Sequence, residues 1–443
     1  MQASRGRWWR ASVGLWLAGC ERGGVAVIGD PAVAASGDGA VSSTALTLDL
    51  AALEGEAVVQ IGPWSGGERR LEAGGLDVRE VVGVDGGLAF RSDEGSLTVE
   101  LPASSAGSSF TVRYGFLAQE RYRGWMPSRG LSFLWPSFCG NLFPCQSDPA
   151  LGQRYTLDVV GVPDGLTVVA PSEITAAAPA YMPGVAVGSF ERRELGRTSA
   201  GTLVSAWYPP ALAADAARGT ANLVAVFEFL ERTYGPYTFG DEVGSVAADW
   251  RPNATGGMEH HPYWHVGFAD FDNEEVHAHE AAHGWFGNGV RIGCWEDFVL
   301  SEGTVSYLSA RALEAQGVDV WPEFGCLLRY DCFAPGGANA EVLPDQTCGE
   351  IDLLTHPIWS TATYMKGAFF YREVAEGIGV DVVDEVIATF YREHVGGSAR
   401  MSELIRALRS AAGPAAARVD EAERRWLRTE VCPEEVRTFC SQP

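Results

Sequence analysis

Two hydrophobic rhythms divide the chain. From about residue 44 to 200, apolar positions alternate with polar ones in short runs broken by glycines. Ala45–Leu50, Ala57–Ile61, Leu97–Leu101, Phe110–Tyr114 and Tyr155–Val160 carry this period of two, which sends successive side chains to opposite faces of a strand. Long helical periodicity is absent there, so the region reads as an all-β domain. After about 200 the period lengthens. Leu223, Val226, Phe227 and Leu230 stand at helical spacing within 220–234, and Gly235-Pro236 ends the run. The pattern predicts a strand over Val243–Ala248. It predicts helices over 273–286, 295–316, 360–376, 380–394, 401–412 and 417–429. The expected architecture is multidomain α and β. An all-β domain over 44–200 is followed by a mainly helical domain over 201–443 with a short helical C-terminal end.

Composition adds bounds. The 443 residues are 46% hydrophobic with 14 tryptophans, enough for a large core. A formal net charge of -24 argues against nucleic acid as a partner and against a basic patch for anionic membranes. The first twenty residues read as a targeting segment. Arg5, Arg7 and Arg10 precede the apolar stretch Ala11–Leu17. Leu17-Ala18-Gly19-Cys20 resembles a bacterial lipobox, whose cysteine is lipidated and becomes the first residue after cleavage. An ordinary secretory signal with an incidental cysteine is the alternative. The resemblance implies a bacterial cell-envelope protein, signal peptide 1–20, held to the membrane by lipid on Cys20. Residues 21–43, rich in Gly, Ala and Ser, read as a flexible tether.

Nine cysteines less Cys20 leave an even number, with no CxxC pair to suggest a cysteine zinc site. An oxidising compartment would allow four disulfides. The close pairs Cys139–Cys145 and Cys432–Cys440 are expected to bond locally. Cys294, Cys326, Cys332 and Cys348 would then pair among themselves.

The chemistry centres on His279-Glu280-Ala281-Ala282-His283. Histidines four apart share one face of a helix, so both imidazoles reach a single Zn²⁺. A catalytic zinc takes three protein ligands and keeps one position open. Glu302, after eighteen intervening residues, is the expected third ligand. One Zn²⁺ per chain is expected. Glu280 stands beside the metal and suits a general base that activates water and then carries the proton to the leaving amine. His277 faces another side of the helix and reads as a non-ligand. His260, His261 and His265 cluster upstream and are expected to be structural or to line the site.

These residues resemble a family. A Gly-x-Met-Glu-Asn motif ahead of HExxH-x18-E marks the zinc aminopeptidases of the gluzincin clan, the type of alanyl aminopeptidase and leukotriene hydrolase. Here the first motif reads Gly256-Gly257-Met258-Glu259-His260. The resemblance implies that Glu259 binds the free α-amine of a peptide substrate, with Gly256, Gly257 and Met258 beside it. Tyr364-Met365-Lys366-Gly367-Ala368 is similar to a family stretch whose tyrosine hydrogen-bonds the oxyanion, so Tyr364 is expected in that role. Lys366, the only lysine in the chain, falls inside it. The implied fold is a saddle-like β domain followed by a thermolysin-like catalytic domain, and the implied activity removes N-terminal residues from peptides. Two positions depart from the pattern: His260 and Ser301 each stand where the family has asparagine. An endopeptidase on the same scaffold, or a non-catalytic peptide-binding surface lipoprotein, are the alternatives.

Overall fold

The computed structural model describes residues 39–93, 95–250, 256–344, 347–349 and 351–440. The expected signal peptide, Cys20 and the tether up to residue 38 lie outside the described residues.

The alternating segments form strands. Val41–Asp49 buries Thr44, Leu46 and Leu48 and exposes their neighbours, as a period of two requires. It pairs antiparallel with Glu54–Ile61 and parallel with Gln153–Val160. These strands belong to a seven-stranded sheet that Ser108–Gly115, Asp77–Gly83, Gly86–Gly87 and Glu173–Ala178 complete. A three-stranded sheet of Gly67–Glu72, Ser96–Leu101 and Phe90–Asp93 accompanies it. A four-stranded one joins Thr167–Val169, Ala186–Gly188, Leu131–Phe133 and Gly124–Met126.

A five-stranded sheet carries the second half. Its order is Glu191–Arg197, Leu203–Tyr208, Glu242–Ala248, Tyr263–Gly267, Gly257–Met258. The three middle strands are parallel and almost continuously buried, because both faces are covered. On one face Val204, Ala206, Val243, Trp264 and Val266 pack into the helical core. On the other, Trp207, Val246, Ala248 and Met258 join the core of the β region. The sheet is thus a wall shared by two cores. It begins at Glu191, upstream of the composition change near 200.

The helices are Ala213–Gly219, Leu223–Tyr234, Glu274–Ala282, Phe298–Glu314, Trp321–Phe333, Thr361–Ile378, Val380–His394, Met401–Ala412 and Ala416–Ala422. The periodicity locates most of these. It misses Ala213–Gly219 and Trp321–Phe333 and runs the 273–286 helix four residues too far. The 417–429 segment continues past Ala422 as a wider π turn, Glu423–Leu427. Among the described residues no helix is long and apolar enough to cross a membrane.

Four disulfides tie the fold: Cys139–Cys145, Cys294–Cys348, Cys326–Cys440 and Cys332–Cys432. The expected Cys432–Cys440 bridge is not formed. The helix Trp321–Phe333 presents Cys326 and Cys332, and the C-terminal segment lies along it in the opposite sense. Each C-terminal cysteine therefore meets a helix cysteine instead of its neighbour in sequence.

Candidate active site

The helix Glu274–Ala282 begins at Asn273, whose side chain accepts from the Glu275 N–H at 3.0 Å, a standard N-cap. Every residue from Glu275 to Ala282 is buried. His283 keeps a helical backbone at φ -60° and ψ -19°, so it still shares a face with His279. Gly287 then turns the chain at φ 93°, and a Cβ there would stand 2.7 Å from His283 Nδ1. That nitrogen donates to the Phe286 carbonyl at 3.1 Å. The lone pair of Nε2 is left for a cation.

Glu302 comes from the next helix, Phe298–Glu314. His279 Nε2 and His283 Nε2 are 3.3 Å apart, and Glu302 Oε2 lies 3.2 Å from the first and 3.4 Å from the second. Ligand atoms at zinc distances in a tetrahedral array stand roughly 3.3 Å from one another. The triangle fits such an ion, and two imidazoles with one carboxylate are a catalytic zinc donor set. Charge points the same way. Burial alone would push the His283 imidazole down, but Glu302 and Glu259 outweigh it and raise it to about 10. Burial likewise pushes Glu302 up, yet His283 and the hydrogen bonds from both imidazoles hold it at about 2. Positive charge is wanted at the point where the three side chains converge.

Glu280 is buried, and its Oε2 has no hydrogen-bond partner among the described residues. Burial, with Glu259 and Glu302 adding to it, drives its carboxyl well above the usual range against the opposing pull of His283. The edge strand Gly257–Met258 runs hard against it. Any Cβ on Gly257 would collide with the Glu280 side chain, so this glycine is required for close approach. Gly256 sits at φ 92° and opens the strand. Next along the chain, Glu259 is buried and pushed up to about 7, chiefly by burial. Glu259, Glu280 and His283 offer ligand-type atoms within 4.8 Å of one another, as do His279, His283 and Glu302. The two groups share His283.

Tyr364 lies on the third helix, Thr361–Ile378, and is the one residue from Thr361 to Tyr371 that is not fully buried. Its ring stacks on His279 with centroids 5.7 Å apart. Burial and the nearby carboxylates keep its phenol protonated well above its ordinary range. Lys366, two residues on, turns away from the site. Its Nζ donates to the carbonyls of Ala340 and Thr429 at 2.6 and 2.8 Å.

His279, His283, Glu302, Glu280, Glu259 and Tyr364 therefore gather in one place, with Gly257 pressed on Glu280, Gly256 beside it in the chain, and the Met258 side chain packed into the β-region core. His277 does not join them: it bonds Ser245 Oγ at 2.7 Å and the Phe271 carbonyl at 3.1 Å. His260 donates to the Tyr181 carbonyl at 2.9 Å and lies edge-on to His265. Three residues whose contacts sequence reasoning left open support these side chains. His261 bonds the Glu280 carbonyl through Nε2 at 2.8 Å and the Tyr237 hydroxyl through Nδ1 at 3.0 Å. Asn288 donates to the Glu259 carbonyl at 2.8 Å. Ser301 reaches the second oxygen of Glu302 at 3.3 Å. Only the proximity of Ser301 and Asn288 to the motifs hinted at them.

Residues 269–426 match the model of the Peptidase family M1 domain. That span includes His279, Glu280, His283, Glu302 and Tyr364 but starts after Glu259. The chain is 31% identical over 189 residues to human Aminopeptidase B, covering 38% of this chain and 28% of that protein. It is 23% identical over 286 residues to Leucine aminopeptidase 2 of Emericella nidulans, covering 58% and 45%. The matches thus span less than half the length of these curated relatives. Among solved structures, an M1 zinc metallopeptidase of Deinococcus radiodurans bound to a Tyr-Ser-Ala substrate shares the fold. Its TM-score is 0.74 at 19% identity, over 89% of this chain and 95% of that one. Native yeast LTA4 hydrolase does so at TM-score 0.74 and 19% identity, over 90% and 69%.

Proposed function

We propose that the chain is a member of peptidase family M1 and a zinc aminopeptidase that removes N-terminal residues from peptides. The observation that carries this reading is the ligand triangle of His279, His283 and Glu302 with two further buried carboxylates, Glu280 and Glu259, clustered on its shared member His283. Zinc held there supplies a Lewis acid for the scissile carbonyl and lowers the pKa of water. Glu280 takes the proton of the attacking water and delivers it to the departing amine. Its unpartnered Oε2 suits both halves of that task. Glu259 accepts the α-ammonium of the substrate, which replaces the water a buried carboxylate lacks. Tyr364 donates its phenol to the oxygen that gains charge.

The free-amine requirement rests on Glu259, which lies one residue beyond the strand that presses on Glu280. His260, in place of asparagine, holds this turn through Tyr181 rather than through substrate. The same scaffold without an amine anchor would serve an endopeptidase. Nothing in the geometry favours that over the exopeptidase, because Glu259 closes one end of the catalytic cluster with a negative charge.

The site of action is part of the proposal. Lipid attachment at Cys20 would place the enzyme on the bacterial cell envelope, and four disulfides suit an oxidising compartment. Peptides with a free N-terminus are the proposed substrates, with no role for nucleic acid. Aminoacyl fluorogenic amides test the reaction. Hydrolysis that a chelator abolishes and added Zn²⁺ restores is expected. Failure to cleave any such amide by zinc-loaded protein contradicts it.

A further inference from the structure

The last turn of the helix Glu274–Ala282 is braced by a side chain from outside it. The helix stops at Ala282, and the Gly284 N–H that a longer helix would send to the Glu280 carbonyl goes to Ala281 instead, at 3.2 Å. The Glu280 carbonyl takes its hydrogen bond from His261 Nε2, at 2.8 Å. A carbonyl only accepts, so Nε2 carries the proton and Nδ1 offers a lone pair. The Tyr237 hydroxyl donates to that lone pair at 3.0 Å. Both rings also press on the chain just past His283. A Cβ on Gly284 would stand 2.8 Å from the Tyr237 ring and 3.2 Å from the His261 ring.

The other end of the brace is Glu259, two residues before His261. Its carbonyl accepts from the His261 N–H and from Asn288 Nδ2, both at 2.8 Å. His261 is fully buried, with Trp264 tilted against it at 5.1 Å. One residue thus ties the backbone of Glu259 to the backbone of Glu280. A peptide substrate bears its ammonium and its scissile carbonyl on a single Cα, so the two carboxylates must keep a set separation. Errors of about 0.5 Å in such a span are enough to cost rate.

We propose that His261 is a positioning residue that sets the separation of Glu259 and Glu280, so that the first residue of a substrate meets both carboxylates at once. This rests on the aminopeptidase reading. Leucine at this place would leave the Glu280 carbonyl and the Tyr237 hydroxyl without their partner. Glutamine offers a donor and an acceptor on one planar group, as the neutral imidazole does.

The test measures kcat and KM of the zinc-loaded full chain on one short peptide with a free N-terminus and on its N-acetylated form. His261→Leu should lower kcat/KM on the free peptide by about 10–100-fold, through a lower kcat and a higher KM together, while zinc content is unchanged. The ratio of free to acetylated cleavage should fall by at least ~5-fold, because only the free peptide uses both carboxylates. His261→Gln should restore most of both. Tyr237→Phe keeps the ring against Gly284 and removes the proton donor, so a smaller fall of roughly 3–10-fold is expected. A His261→Leu protein that loses thermal midpoint but keeps kcat, KM and the ratio overturns the proposal, as does a loss shared equally by the two peptides. If His261→Leu does not fold, Tyr237→Phe decides by the same ratio, and an unmoved ratio overturns the proposal. Equal cleavage of the two peptides by the native protein overturns the aminopeptidase reading and the positioning role with it.

Discussion

Gly303 and Gly367 meet backbone to backbone where the Glu302 helix crosses the Tyr364 helix. A Cβ on Gly303 would stand 2.7 Å from the Gly367 Cα, and one on Gly367 would strike Gly303 in return. The contact brings the third metal-ligand candidate and the phenol donor together beside His279. Gly367→Ala must push the helices apart, since neither backbone can yield. A loss of about 1–3 kcal/mol is expected by chemical denaturation, with a fall in kcat larger than that in zinc affinity. Unchanged stability and activity would show that the crossing tolerates a methyl group.

Glu280→Gln keeps the shape of the side chain and removes its basicity. Turnover should drop by about 10²–10⁴-fold while zinc content stays at one per chain. Metal analysis beside single-turnover kinetics reads both. Near-normal turnover would remove Glu280 from the chemistry.

The two bridges Cys326–Cys440 and Cys332–Cys432 close loops of 114 and 100 residues in sequence separation. Loops of this length gain the most from a cross-link in the chain-entropy picture. Replacing Cys332 and Cys432 together by serine should cost about 2–4 kcal/mol in urea unfolding. A cost below roughly 0.5 kcal/mol would mean that the helix holds the C-terminal segment without the bond.

Glu275 supplies a pH dependence away from the metal. Burial first, then Glu323, raises its carboxyl from 4.5 to about 8; Asp270 adds to this and the Ser309 hydroxyl opposes it. The folded chain therefore binds this proton more tightly than the unfolded one. The resulting stabilisation is fully present below pH ~4.5 and lost as pH rises through about 8. Glu275→Gln should remove that slope, so the variant gains on the native protein in thermal midpoint between pH 5 and pH 9. Parallel pH profiles of the two proteins would contradict this.

The part of the site that sequence reveals is the part built on local geometry. HEAAH is legible because four-residue spacing on a helix dictates a shared face. Glu302, Glu259 and Tyr364 lie on other elements, and only their resemblance to a family pattern links them to it. The Gly303–Gly367 crossing that unites Glu302 and Tyr364 is invisible in a period of hydrophobicity. The same limit explains the disulfides. Trp321, Phe324, Gly325, Leu328 and Asp331 form the buried face of a helix at regular spacing. Pro322, Gly325 and two cysteines disguise it in sequence, although proline is tolerated in a first turn. Gly325 is there because Phe439 packs on it, 3.2 Å from where a Cβ would stand. Missing that helix makes the short Cys432–Cys440 closure look natural.

The central claim is that Glu259 makes a zinc hydrolase into an aminopeptidase. Its most direct test is the cleavage rate of one peptide with a free N-terminus against the same peptide N-acetylated, both with zinc-loaded protein. A free-amine preference of at least ~100-fold is expected, because acetylation removes the charge that a buried carboxylate would pair with. Equal cleavage of the two peptides would contradict the amine anchor and leave an endopeptidase in its place.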